Sequence, residues 1–275
     1  MASQHQLTFR GIRGSMPVAG REHKRYGGHT TCIDVDLSDS AHLVVDCGTG
    51  MRQLQSALHE DVSNHEFHVL LTHYHWDHLQ GLPFFRPLYD PTNRFVFYGH
   101  EWGELSVADL VGGVFTPPWF PITIDETAAS KEFVTMTDEP FTLGWLTVTP
   151  DQLHHPQGVT AYRLQGTRSS VVIATDVEAG DPESDDALVA LAKDADYLVH
   201  DAQYLPEEYE NDYKGWGHST WKHATDTAQR AAVGKLILVS HEPDRSDDDI
   251  DHMVKVARED FASTDAAFEG MTIEL

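Results

Sequence analysis

The sequence predicts an α/β fold in which sheet is layered against helix. Short apolar runs of strand length recur along the whole chain, and helical patterns fall between several of them. There is no long linker and no low-complexity tract. The strand-like runs are residues 7–11, 31–37, 43–46, 67–72, 95–98, 146–149, 161–164, 171–175, 197–200 and 236–240. They are rich in Val, Ile, Leu, Phe and Thr and are bounded by Gly, Asp or Pro, as strands are. Helices are predicted over 50–60, after a Gly-Thr-Gly turn, and over 184–193, 221–233 and 247–261. The second of these, SDDALVALAK, carries acids in its first turn and Lys193 in its last, which complements the helix dipole. Strands and helices in alternation argue for sheet covered by helix. A length of 275 residues fits one domain spanning 1–275. The stretch from Pro117 to Ile124 reads as an ordered loop lining a pocket.

Charge narrows the choice of partner. Lys and Arg number 19 against 44 Asp and Glu, a formal net charge of −25. Nucleic acids and anionic membranes are held mainly by Lys and Arg, so this balance weighs against both. With 40% hydrophobic residues the chain can still build a core, which excludes a disordered acidic tail. The acids are spread along the chain, as on a solvated acidic surface. Such a surface also suits a salty environment, and a stability that fails to rise with salt would count against that idea. Cys32 and Cys47 each sit in or beside a strand-like run and read as buried, reduced thiols. The first residues show no basic segment followed by an apolar run. The longest apolar stretches, such as 69–72 and 236–240, are far too short to span a bilayer. The expectation is a cytoplasmic protein with no membrane partner.

The strongest chemical signal is Thr72-His73-Tyr74-His75-Trp76-Asp77-His78, directly after the strand-like run 67–71. Three imidazoles and a carboxylate fall within six residues at a strand end. These are ligands for zinc, iron or manganese. A turn there can aim His73 and His75 at one point and Asp77 and His78 at another. Other candidates are weaker when taken alone. His154 and His155 are adjacent, and either could be a ligand. Asp176 could merely cap a turn. His241 would be an ordinary histidine. His218, in GWGHST, could be a loop residue whose neighbours Ser219 and Thr220 cap the helix near Trp221.

Taken together and in order, these residues resemble the metallo-β-lactamase fold superfamily, over essentially the whole chain. Asp46 in VVDCGTG looks like its early structural aspartate. His155, before Pro156, looks like the third-motif histidine. Asp176 in VVIATD looks like the bridging aspartate, and His241 in LILVSH looks like the last ligand. The resemblance implies an αββα four-layer sandwich and two divalent metal ions, with zinc, manganese or iron all suited. His73, His75 and His155 would hold one ion. Asp77, His78 and His241 would hold the other, with Asp176 bridging. Two such ions acidify a shared water for attack and neutralise charge on the substrate.

The His-Ser-Thr element of Gly215–Thr220 resembles the phosphodiesterase branch of the superfamily, which includes the ribonuclease Z-like enzymes. The resemblance implies that His218 serves the leaving oxygen and that Asp201, in YLVHDAQY, orients it; Asp77 joins them in the catalytic set. His200 has the opposite strand parity from Asp201 and is left out. The expected activity is hydrolysis of a small anionic phosphodiester such as a cyclic nucleotide. A transfer-RNA 3′ endonuclease, a lactonase or thioesterase, and a non-catalytic metal sensor are the alternatives. The acidic charge and the lack of a projecting Gly/Pro-rich arm lead to the expectation that no extended nucleic acid is bound. Dimerisation is implied by the resemblance alone. Arg10, Arg13, Arg21, Lys24 and Arg25 form a local basic cluster, read either as attracting an anionic substrate or as plain solvated surface.

Overall fold

The computed structural model describes residues 5–58 and 62–275. The N-terminal tetrapeptide, and the last two positions of the helix expected over 50–60, lie outside the described residues. The strands are β1 (Gln6–Gly11), β2 (Cys32–Ser38), β3 (Ala41–Val45), β4 (Glu66–Leu70), β5 (Arg94–Gly99), β6 (Ser130–Thr135), β7 (Phe141–Leu143), β8 (Leu146–Leu153), β9 (Val159–Gln165), β10 (Ser170–Ala174), β11 (Tyr197–Asp201), β12 (Lys235–Val239), β13 (Thr264–Ala266) and β14 (Thr272–Glu274). The α-helices are α1 (Met51–Ala57), α2 (Trp76–Leu79), α3 (Val107–Gly112), α4 (Pro182–Leu191), α5 (Pro206–Glu208), α6 (Trp221–Arg230) and α7 (Asp247–Asp260).

The strands form two seven-stranded sheets, ordered β14-β1-β2-β3-β4-β5-β6 and β13-β12-β11-β10-β9-β8-β7. In each sheet one half is antiparallel and the other parallel: β3 to β6 in the first, β10 to β13 in the second. Strand alternation sorts the side chains into three apolar layers. Leu43 and Val45 of β3, Ile173 of β10, Val199 of β11 and Ile237 of β12 fill the space between the sheets. Val44, Phe67, Val69, Phe95 and Phe97 face outward against α1, α2 and α3. Val172, Leu198, Leu236 and Leu238 face the other way, against α4, α6 and α7. This is the αββα sandwich expected.

The helices are ended by local chemistry. Asp181 caps α4 by accepting from Ser184 N at 2.9 Å, and Thr220 caps α6 by accepting from His223 N at 3.2 Å. Ser246 and Asp249 form a reciprocal capping box at the start of α7. Both cysteines are free and buried. The loop from Pro117 to Ile124 is ordered, but Phe120 packs edge-on against Phe84 and Phe115 at the rim of the core. None of the described helices is long and apolar enough to cross a membrane.

The parallel halves position the candidate site. Asp46, His73, Asp176, Asp201 and His241 all lie at or just past the C-terminal ends of β3, β4, β10, β11 and β12, where open α/β sheets place ligands. Three strand exits turn sharply through the left-handed region, at Asp46 (φ 61), Asp176 (φ 54) and Ser240 (φ 56). Asp accepts this conformation better than most residues because its short polar side chain bonds locally. Arg13 joins the two sheets at this edge. It is fully buried, bridges to both Thr30 and His241, and donates to the carbonyls of Gly27, Glu242 and Arg245.

Candidate metal centre

The site is built outward from Asp46. Its Oδ1 accepts from Thr72 N at 2.9 Å, and its Oδ2 accepts from Thr72 Oγ1 and from His78 Nδ1, each at 2.7 Å. These contacts fix two imidazoles. The Thr72 hydroxyl hydrogen is engaged by Asp46, so toward His73 Nδ1, 3.0 Å away, Thr72 acts as an acceptor. His73 therefore carries its proton on Nδ1, and Nε2 presents a lone pair. That Nε2 is buried and has no hydrogen-bond partner. The same reasoning covers two neighbours. His155 Nδ1 donates to the carbonyl of Gly217 at 2.8 Å, which leaves a lone pair on Nε2. His75 Nε2 donates to Gln157 Oε1 at 2.6 Å, which leaves a lone pair on Nδ1.

Ligand atoms of His73, His75 and His155 lie within 4.8 Å of one another, and His75 Nδ1 is 3.2 Å from His155 Nε2. Lone pairs aimed at one another repel unless a cation lies among them. Burial favours the neutral form of two of these rings: it pushes His155 down to about 4 and lowers His73 well below the ordinary histidine range, with His78 next to it adding to the effect. Neutral imidazoles with their far nitrogens held by oxygen acceptors are what a metal ligand set requires. His154 is exposed and is engaged through its backbone, its N–H donating to Ser184 Oγ and its carbonyl accepting from Glu178 N–H, so His155 is the histidine brought to the cluster.

A second group adjoins the first. Ligand atoms of His73, His78 and Asp176 lie within 4.8 Å of one another. His78 Nε2 is 3.3 Å from Asp77 and 3.2 Å from Asp176. Burial opposes a charge on His78, but Asp176, Asp77 and Asp46 outweigh it and raise its pKa well above the usual value. Asp77 is held by the N–H of Ser15 at 2.9 Å. The donor set of imidazole and carboxylate suits a divalent cation here too. His241 is not drawn into these groups of three. It is fully buried, neither ring nitrogen has a hydrogen-bond partner, and its ring stands 5.9 Å edge-on from Tyr26.

On the far side of Asp176 lies the pair His218 and Asp201. His218 Nδ1 is 2.7 Å from Asp201 Oδ2 and 3.7 Å from Asp176 Oδ1. Asp201 also accepts from the N–H groups of Ser219, Gln203 and Asp176. Burial works against the imidazolium, yet Asp201 and Asp176 together lift His218 to about 9. His200 points to the helix side instead and bonds the carbonyl of Asp201 at 2.7 Å.

One functional residue escapes sequence reasoning. Glu178 is buried two residues past Asp176. It accepts from Gly217 N at 2.8 Å, Gly215 N at 2.5 Å and the Tyr209 hydroxyl at 3.0 Å. It thereby holds the loop whose Gly217 carbonyl orients His155 and whose next residue is His218. Gly217 has φ 90, and a Cβ there would collide with the His155 ring. Nothing local marks Glu178, because its partners lie 31 to 39 positions away. The basic cluster near the N-terminus is mostly committed elsewhere. Arg13 is buried, Arg10 pairs with Asp34 at 3.0 Å, and Arg25 pairs with Asp248 and Asp251.

Two cavities flank the cluster and share His75. One, of about 420 Å³, is bordered by Asp176, His218, Tyr213 and Trp216. The other, of about 380 Å³, has His73 and Thr72 at its base and Trp102, Leu105 and Leu110 in its walls.

A family model described as a beta-lactamase superfamily domain matches residues 42–241. Ribonuclease Z of Myxococcus xanthus is 26% identical across 98% of this chain and 97% of its own. Ribonuclease Z of Haloarcula marismortui is 23% identical across 93% of this chain and 92% of its own. Among solved structures, the metallo-beta-lactamase fold protein YhfI of Bacillus subtilis superposes with a TM-score of 0.73 at 22% identity, over 98% of this chain and 99% of that one. These relatives overturn the expectation that no extended nucleic acid is bound. Both curated relatives carry the name of a ribonuclease, and the match runs nearly end to end. The expectation failed because net charge is a sum over the whole surface. The field inside a cleft is set by the groups that line it and by any cations held there.

Proposed function

The chain belongs to the beta-lactamase superfamily, and we propose that it is a hydrolase that cleaves phosphodiester bonds with the help of two divalent cations. The observation that carries the reading is the His218–Asp201 pair, set against Asp176 at the edge of the metal ligands. A group that holds a proton beside the cluster serves a departing alkoxide, which phosphodiester cleavage produces. His73, His75 and His155 would hold one ion. Asp77, His78 and His241 would hold the other, with Asp176 between them. When bound, the ions supply Lewis-acid polarisation of the phosphoryl oxygens and an acidified water. Zinc, manganese and iron all fit donors of this kind.

The chain's own groups do the rest. Asp201 holds one proton on His218 Nδ1, and in the imidazolium that the neighbouring carboxylates favour, the second proton, on Nε2, is the one available to the leaving oxygen. The Ser219 N–H and the Gln203 N–H keep Asp201 from turning away. Glu178 keeps the loop bearing His218 in place. The ribonuclease Z relatives support an RNA phosphodiester as the substrate. A second reading, a small phosphodiester such as a cyclic nucleotide, is favoured by the cavity of about 420 Å³ beside His218, a size that holds a single nucleotide.

The test is turnover by metal-loaded protein on bis(nitrophenyl) phosphate, a precursor transfer RNA, cyclic nucleotides and a lactone. Cleavage of the precursor at its 3′ side supports the RNA reading, and cleavage of cyclic nucleotides alone supports the second. Lactone turnover with no phosphodiester cleavage contradicts both.

A further inference from the structure

The cavity of about 380 Å³ on the side of the cluster away from His218 has Thr72, His73 and His75 at its base, and its other lining residues are not among the proposed metal ligands or proton carriers. Its walls are mainly apolar, and two of its rim residues are large hydrophobics held in the open: Trp102 is 53% exposed and Leu105 is 43% exposed. They are not loose. Their backbones exchange two hydrogen bonds, Trp102 N to Leu105 O at 3.1 Å and Leu105 N to Trp102 O at 3.0 Å. Gly103 allows the tight turn between them with φ 60. The loop is also tied to the ligand motif, because the Tyr74 hydroxyl donates to the His100 carbonyl at 2.7 Å. Tyr74 lies between His73 and His75, so the cavity wall is hydrogen-bonded directly to the ligand motif. Gln152, Gln157 and Thr160 add hydrogen-bonding groups, and Glu101 adds a carboxylate that disfavours an anion there.

We propose that this cavity binds the substrate group on the side of the phosphate remote from the leaving oxygen, and that it takes a planar, uncharged group such as a nucleobase, laid against Trp102. This rests on the phosphodiester reading above. The anionic phosphate sits at the cluster, the leaving group lies in the cavity beside His218, and the other arm enters under Trp102. A planar ring suits an aromatic wall with a few polar groups at its edge.

Two experiments test this. The first compares nitrophenyl phosphodiesters with a constant leaving group and a varied second arm: methyl, phenyl and 5′-thymidyl. The metal-loaded wild type is expected to favour phenyl and thymidyl over methyl by about tenfold or more in kcat/KM, mostly through KM. Trp102→Ala is expected to cut the thymidyl ester about tenfold more than the methyl ester. The second needs no turnover. Thymidine is titrated onto metal-free protein carrying 5-fluorotryptophan, with the Trp102 fluorine signal assigned by Trp102→Phe. That signal should move saturably while the signal of Trp216, on the other cavity, stays still. Equal losses on both esters, or movement at Trp216 without Trp102, overturns the proposal. Movement at Trp102 without any phosphodiester cleavage would sink the phosphodiester reading and leave this cavity as a base site.

Discussion

The two halves of the proposed metal centre are made in different ways. The His73, His75 and His155 half contains no carboxylate, and each ring has its far nitrogen held, by Thr72, Gln157 and the Gly217 carbonyl. The other half is rich in charge, with His78 between Asp77 and Asp176, and one intended member is not engaged at all. His241 is buried with both nitrogens unpaired. On the proposed assignment the first half is already arranged by its hydrogen bonds, whereas the second would still have to engage His241. Preorganised ligands bind more tightly because less is lost in ordering them. The first ion should therefore enter the three-histidine half, with zinc favoured by its nitrogen donors, and the second should bind more weakly and exchange more readily with manganese.

The largest effect is expected from Asp176→Ala, because Asp176 adjoins His73 of the first half and His78 of the second. It should remove both ions and all turnover. Retention of two fully occupied ions by metal analysis would contradict the bridging role.

His218→Ala should leave both ions in place. It should slow esters with poor leaving groups by about 10²–10⁴-fold and activated nitrophenyl esters far less. Its pH signature follows from the raised pKa. An acid lifted to about 9 is protonated below that value and lost above it. Bound cations near Asp176 add positive charge and bring it lower. Wild-type hydrolysis of a poor leaving group should thus fall on the alkaline side, at or below about pH 9, and His218→Ala should lack that limb. A limb that survives the substitution would assign it to another group.

Of the two ions, Glu178→Gln should affect the one in the first half, by loosening the loop that orients His155 and also carries His218. Partners behind metal ligands commonly affect affinity by about 10–100-fold, so zinc binding to the first half should weaken within that range. Unchanged affinity, measured by competition with a chelator, would make Glu178 a folding residue only. The smallest effect on metal content is expected from His241→Ala. It should weaken the second ion and spare the first, and the reverse result would exchange the roles of the two halves.

What could be read from the sequence divides along the same line. The His73–His78 motif was legible because its four donors fall within six residues and follow a strand. Asp46, Asp176 and Asp201 were legible because each ends an apolar run. Ring orientation was not: that His241 turns neither nitrogen to a partner depends on packing around Arg13 and Tyr26. Glu178 was invisible because its partners are backbone amides far along the chain. Among the elements, β6 was missed because SKEFVT mixes charge into an edge strand, and β7, β13 and β14 because three residues are too few to show a period. The four residues of α2 were hidden inside the metal motif itself. The charge misled about extended nucleic acid because it is summed over the whole surface, whereas the field in a cleft is set by the groups that line it and by any cations held there.

Stepwise zinc titration of metal-free protein, with bound ions counted by native mass spectrometry and phosphodiester turnover followed in parallel, decides whether the two halves fill in that order. Two ions of unequal affinity are expected, with the first lost in His155→Ala and turnover appearing only as the second binds. A single ion at saturation, or full turnover with only one bound, would contradict it.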